Sequence, residues 1–252
     1  MRIQYCSDLH LEFDGNLPYL NQNPWVVGGE ILILSGDIVP LHEKYLNHPF
    51  FDKISQLYEI VFWLPGNHEY YHKDMMEFPL SMNLKVRDNI FIVNHINFIY
   101  NDVHFIFSTL WSNIGKENEQ IIERYIPDFR NIQINGKSLK VADCNKLHAD
   151  SLHFIKKSLN DFPSLPIVVV THHLPSGKCS SPAHRHSVLN EAFSTELSDF
   201  IHDCGALFWL YGHSHYNQKP LQIGKTILLT NQLGNVLQNE HSDYNPKAYI
   251  SV

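Results

Sequence analysis

The chain has 252 residues, 44% hydrophobic and 18% charged, a balance that supports a sizeable core and argues against a disordered chain. Its formal net charge of -7 argues against coating nucleic acid through general phosphate attraction, and it suits a site that gathers cations. Four scattered cysteines (Cys6, Cys144, Cys179, Cys204) form no C-x-x-C pair, which reads as buried free thiols rather than a disulfide frame or zinc knuckle. The first residues, MRIQYCSDLH, lack the apolar stretch of a secretory signal, and the longest apolar runs are too short to span a bilayer. The expectation is a soluble, cytoplasmic, single-domain protein covering 1–252, with no membrane partner and with its oligomeric state open.

In chain order, short β-rich runs recur: RIQYC (2–6), EILIL (30–34), EIVFWL (59–64), VHFIF (103–107), PIVVV (166–170), ALFWLY (206–211) and TILLT (226–230). Most are continuously apolar, as strands buried on both faces are. Between them, 42–57, 138–159 and 188–202 carry apolar residues at helical spacing. Alternating strands and helices predict an α/β layered sandwich. The polar stretch 111–138 is expected to be an irregular excursion over one edge.

Five of these strands end in groups that bind metals. RIQYC runs into Asp8 and His10, which would point the same way in an extended chain. EILIL runs into Gly36 and Asp37, and EIVFWL into Gly66, Asn67, His68 and Glu69. PIVVV is followed by His172 and His173, and ALFWLY by Gly212, His213, Ser214 and His215. Singly, each ending is ordinary turn chemistry. Together they gather carboxylate, amide and imidazole at the edge where α/β sheets bind ligands, and that density calls for a cation.

The order D-x-H, G-D, G-N-H-E, a lone His after a strand, then G-H-x-H resembles the calcineurin-like metallophosphoesterase family, over residues 8 to 215. The resemblance implies a four-layer α-β-β-α sandwich with a dinuclear centre of two divalent metal ions (Mn, Fe, Zn or Ni). It implies that Asp8, His10 and His215 hold one metal, that Asn67, His172 and His213 hold the other, and that Asp37 bridges them. His68 would face the substrate as the catalytic acid. The implied reaction is hydrolysis of a phosphodiester or small phosphomonoester by a metal-bridged hydroxide. The alternative is a nuclease using the same centre; nucleic acid fits the chemistry but is not indicated by the charge. A scaffold that has lost catalysis would have no use for these residues.

The family's protein phosphatases follow the second motif with a phosphate-gripping Arg. Here Gly36-Asp37 continues as Ile38-Val39-Pro40, which argues against phosphoprotein substrates. Glu69 reads either as a group orienting a neighbouring histidine or as a surface or capping carboxylate. His173 reads as a packed histidine. Tyr70, Tyr71 and His72 read as packing after a buried turn, with a place in the pocket lining as the alternative, and Trp111 reads as core packing. In the loop 176–187, Lys178, His184, Arg185 and His186 are candidates for a phosphate-binding rim, with a solvated loop the plainer reading.

Overall fold

In the computed structural model, which describes residues 1–252, all seven apolar runs form strands. Two six-stranded sheets dominate. The first runs Tyr249–Ser251, Arg2–Cys6, Ile31–Leu34, Ile60–Trp63, Ile90–Asn94, Met82–Arg87. The second runs Leu221–Ile223, Thr226–Thr230, Phe208–Tyr211, Ile167–Val170, Val103–Phe107, Ile96–Tyr100. The four inner strands of each sheet are mutually parallel and the edge strands antiparallel.

Strand alternation divides the apolar residues between two faces. Ile3, Ile31, Ile33 and Phe62 of the first sheet meet Phe105, Phe107, Val168 and Leu210 of the second in one shared core. Phe62 packs on Phe98 with ring centroids 4.8 Å apart, a pairing worth about 1 kcal/mol beyond its buried area. On the outer face of the first sheet, Leu32, Leu34, Val61 and Trp63 pack on Phe50, Phe51 and Ile54 of the helix Pro49–Leu57. On the outer face of the second, Ile106, Val169 and Trp209 pack on Ile155 and Ile201 from the helices Val141–Ser158 and Ser198–Asp203. Because every inner strand is covered on both sides, it reads as continuously apolar. The result is a four-layer α-β-β-α sandwich. No helix is long and apolar enough to cross a membrane.

Three local expectations change. The stretch 42–57 forms two helices, Glu43–Leu46 and Pro49–Leu57, because Pro49 cannot continue the first and starts the second. His48 caps that second helix, its Nδ1 accepting from the Phe50 N–H. The stretch 188–202 is interrupted after the 3₁₀ turn Val188–Ala192, where Ser194 bridges to Leu174, and resumes as Ser198–Asp203. The stretch 111–138 holds two short helices, Glu119–Tyr125 and Asp128–Asn131, and a small core in which Ile122, Ile126 and Phe129 pack with Trp111 and Tyr70.

Candidate metal centre

All seven ligand-type residues follow the C-terminal ends of five parallel strands and converge at one edge of the sandwich. Their convergence does not come from extended alternation. Asp8 and His10 both have left-handed φ (54° and 41°), as do Asp37 (55°), His213 (78°) and His215 (50°). Asp and His tolerate this region better than most residues, and such strain gathers where the surrounding structure holds it for function. Backbone bonds from Asp8 N–H to Gly36 O (2.9 Å) and from His10 N–H to Asp37 O (3.0 Å) lay the first loop along the second.

Two glycines make the approach feasible. A Cβ on Gly36, whose φ of 96° already favours glycine, would overlap the His172 ring. A Cβ on Gly66 would overlap both the Asp37 carboxylate and the His172 ring.

Asp8, His10 and His215 bring one donor atom each to a common point, and Asp37, His172 and His213 do the same beside it. Asp37 lies between the groups, its Oδ2 3.7 Å from His10 Nε2 and 3.3 Å from His172 Nε2. Asp8 Oδ1 stands 3.6 Å from His215 Nε2, and Asn67 Oδ1 3.1 Å from His172 Nε2. Asp8, His10 and His172 are fully buried.

The outer ring nitrogens decide what the inner ones present. His10 Nδ1 faces Glu12 Oε1 (3.0 Å), His215 Nδ1 faces Glu240 Oε2 (2.6 Å), and His172 Nδ1 faces the Ser35 carbonyl (2.8 Å). Each partner assigns the proton to Nδ1 and leaves a lone pair on Nε2. His10 Nε2 and His215 Nε2 then confront each other at 2.9 Å as two acceptors, and His172 Nε2 confronts the Asn67 carbonyl in the same way. Opposed lone pairs at these distances repel unless a cation or proton sits among them. Nitrogen with carboxylate and amide oxygen is the donor chemistry of divalent first-row metals, so these residues fit two such ions.

The electrostatics show how strongly the cluster favours positive charge, whether as a proton on Nε2 or as a cation. Burial works against an ionised Asp37, but His172, His68 and His10 outweigh it and hold the carboxyl well below its usual range. Burial would lower His172, yet Asp37 and Asp8 lift it to about 10. His213, buried beside His173 and His172, is pushed well down.

Sequence reasoning missed three acids around this cluster. Glu12 faces both His10 and His68 Nδ1 (3.4 Å). Its signal was present, two residues beyond His10. Glu240 comes from a late loop, with only its sign to mark it. Asp128 Oδ1 accepts from Asn67 Nδ2 (2.9 Å) and from Tyr71 Oη (2.7 Å), which aims the Asn67 carbonyl at His172. Glu69 is fully buried and accepts from the N–H groups of Asp37, Ile38 and Gly66 and from Trp63 Nε1 at 2.7–2.9 Å. It thus ties the G-D turn to the G-N-H-E turn. Burial and the Asp37 charge push its carboxyl upward.

His68 stands at the mouth, 19% exposed in its side chain, stacked on Tyr71 with centroids 4.0 Å apart. Its backbone N–H donates to Asp37 Oδ1 (2.9 Å). Burial alone would lower its pKa, but Asp37, Glu12 and Asp128 raise it to about 9. Tyr71 is therefore more than packing, whereas Tyr70 and Trp111 are buried in the small core. His173 is buried against the His213 and Trp111 rings, with Nδ1 3.3 Å from the Thr109 carbonyl. Of the loop candidates, His184 lines a cavity next to Ser214, while Lys178 is exposed and Arg185 donates to the Ser180 carbonyl.

A family model described as calcineurin-like phosphoesterase matches residues 1–217. An uncharacterized protein of Acanthamoeba polyphaga mimivirus is 34% identical over 280 residues, covering 100% of this chain and 97% of that one. Among solved structures, the phosphopantetheinyl hydrolase of Mycobacterium tuberculosis superposes with a TM-score of 0.72 at 14% identity, over 99% of this chain and 95% of that one. A dimetal phosphatase from Danio rerio gives 0.52 at 14% identity, over 94% and 88%. At that identity the structural similarity speaks to the fold. With the family model spanning the strands and loops that build the cluster, the chain belongs to the calcineurin-like phosphoesterase family and is a hydrolase of phosphoric esters.

Proposed function

We propose that the chain, acting as one unit over residues 1–252, hydrolyses a small phosphomonoester or phosphodiester at a dinuclear metal centre. The observation that carries this reading is the position of Asp37 Oδ2 between His10 Nε2 and His172 Nε2. Asp8, His10 and His215 would hold one ion, and Asn67, His172 and His213 the other. Asp37 would touch both. When bound, two divalent cations polarise a phosphoryl group and lower the pKa of a water between them. Mn, Fe, Zn and Ni all suit mixed Asp, Asn and His ligation.

The chain's own residues do the rest. Glu12, Glu240 and the Ser35 carbonyl hold the imidazoles in the tautomer that offers Nε2 inward. Asp128 keeps the Asn67 carbonyl, not its NH₂, on the same side. His68 gives a proton to the leaving oxygen, and Glu12 Oε1 at 3.4 Å supports the imidazolium. Cations beside Asp37 would weaken the largest influence raising His68, while Glu12 and Asp128 would still favour its imidazolium. A reducing, cytoplasmic setting belongs to the same reading and is supported by four free cysteines.

The test is hydrolysis of bis-p-nitrophenyl phosphate and p-nitrophenyl phosphate side by side in Mn²⁺, with Asp37→Ala as control. Turnover of either ester, lost in the control, supports the reading, and the preferred ester names the class. Silence toward both esters, with cleavage of single-stranded or duplex DNA, would replace it with a nuclease. The net charge of -7 leans away from that outcome.

A further inference from the structure

A cavity of ≈ 370 Å³ lies against the His68 side of the ligand cluster. His68 and Glu12, which touch the cluster, share its wall with His42, Lys44 and His72. The loops that carry Asp37 and His68 build it. His42 and Lys44 follow the first loop, and His72 follows the second. The Leu41 N–H donates to the Glu69 carbonyl (2.9 Å) and ties one loop to the other. His72 takes a left-handed φ of 62°, and its N–H donates to the Asn131 carbonyl (2.6 Å), which fixes its backbone beside the cavity.

A chain of net charge -7 has gathered one lysine and three histidines here against a single carboxylate. That carboxylate is already engaged. The Glu12 side chain is 12% exposed, and its Oε1 faces both His10 Nδ1 and His68 Nδ1. His42, Lys44 and His72 take part in no ion pair. Lys44 Nζ stands 4.3 Å from the centroid of the Tyr45 ring, another wall residue, so a cation–π contact holds the ammonium against the cavity. Burial, and then the charges of Lys73, Lys44 and His72, push the His42 pKa down. Crowded like charges of this kind are relieved by an anion, and a concave wall focuses their field on it.

We infer that this cavity receives the leaving group of the substrate, and that the leaving group carries an anionic group of its own, a phosphate or a carboxylate. The inference rests on the phosphohydrolase reading, in which His68 protonates the leaving oxygen. A leaving group on that side of the centre extends past His68 into this cavity. Its anionic group meets Lys44, His42 and His72, and its stem passes the rings of Phe13 and Tyr71. An uncharged leaving group would leave the ammonium and the imidazoles bonded to water and form no charge-assisted bond with them. The substrate class is therefore the phosphate ester of a small alcohol that bears an anion.

The test is direct binding to the Mn²⁺-loaded full chain, read by calorimetry, which needs no turnover. The probes are propylphosphonate, 3-hydroxypropylphosphonate, 3-carboxypropylphosphonate and propane-1,3-diylbisphosphonate. The two with an anionic tail should bind roughly tenfold tighter than the two without, the gain of about one charge-assisted hydrogen bond. The tighter of those two identifies the tail as carboxylate or phosphate. Lys44 and His72 are exposed, so the double variant Lys44→Ala/His72→Ala should fold as the parent does. In it the preference should shrink to about threefold or less, with propylphosphonate binding as before. Lys225→Ala is the charge-matched control, since Lys225 precedes the strand Thr226–Thr230 at the sheet end away from the ligand cluster. Equal affinity for all the probes, no binding at all, or an undiminished preference in the double variant would overturn the inference. So would an equal loss in Lys225→Ala, which would show general attraction of charge. Hydrolysis of the matching phosphate esters is measured separately. Retained preference without hydrolysis would defeat the phosphohydrolase reading and leave the cavity assignment standing.

Discussion

Asp128 Oδ1 accepts a hydrogen bond from Asn67 Nδ2 at 2.9 Å, and so fixes which face of that amide turns toward His172. An amide can flip, and its two faces have opposite chemistry toward a cation. Asp128→Ala should therefore weaken metal binding at the Asn67, His172 and His213 group by roughly 10–100-fold, as losses of partners behind metal ligands do. Calorimetric titration with Mn²⁺ measures it. Unchanged affinity would show that Asn67 needs no anchor.

Glu69→Gln tests the tie between the two turns. The carboxylate accepts from four N–H donors, and an amide in its place would turn an NH₂ toward one of them. The expected loss is about 2 kcal/mol in unfolding free energy, since a donor is left facing a donor while the burial of a charge beside Asp37 is relieved. Denaturant melts of the metal-free chain read it. A loss below about 0.5 kcal/mol, the size typical of a surface change, would contradict the role.

His68→Ala should lower turnover by roughly 10²–10⁴-fold, the contribution of a positioned acid or base. Metal content should stay at the wild-type level, because the seven other residues supply the donors. Loss of both together would show that His68 acts on the centre rather than on the substrate.

His95 offers a pH prediction away from the metal residues. It is the single residue joining the strands Ile90–Asn94 and Ile96–Tyr100, which belong to different sheets. Its ring stacks on Phe154 at 5.0 Å and bonds Ser151 Oγ at 3.0 Å. Burial lowers its pKa from 6.5 to about 4. The unfolded chain then binds the proton more tightly, so folding is unaffected above about pH 6.5 and is penalised as the pH falls toward 4. The full penalty is about 3 kcal/mol at 1.36 kcal/mol per pH unit. His95→Asn keeps a residue tolerant of the left-handed φ of 48° and removes the titration. Its melting temperature should fall less between pH 7 and pH 4.5 than that of the parent chain, and equal falls would contradict the assignment.

The sequence made the inner strands and the ligand residues legible for one reason. A strand buried on both faces must be apolar throughout, so the polar residue where it ends stands out, as at Asp8 after Cys6 or His172 after Val170. The local geometry was less legible. Alternation suggested an extended Asp8-Leu9-His10, but the chain turns left-handed at both ends of it. Asp128 and Glu240 were hidden because each lies far along the chain from the residue it orients, Asn67 or His215. Only folding brings them near, and no spacing marks them. The break at Pro49 was readable from proline chemistry and was obscured by the helical spacing on either side of it.

The central claim is a centre of two ions with Asp37 between them, and a metal count addresses it most directly. The chain purified with Mn²⁺ and dialysed free of excess should hold two ions per molecule by elemental analysis. Asp37→Ala should hold at most one. A parent chain that turns over phosphoric esters with one ion, or an Asp37→Ala chain that still holds two, would contradict the account.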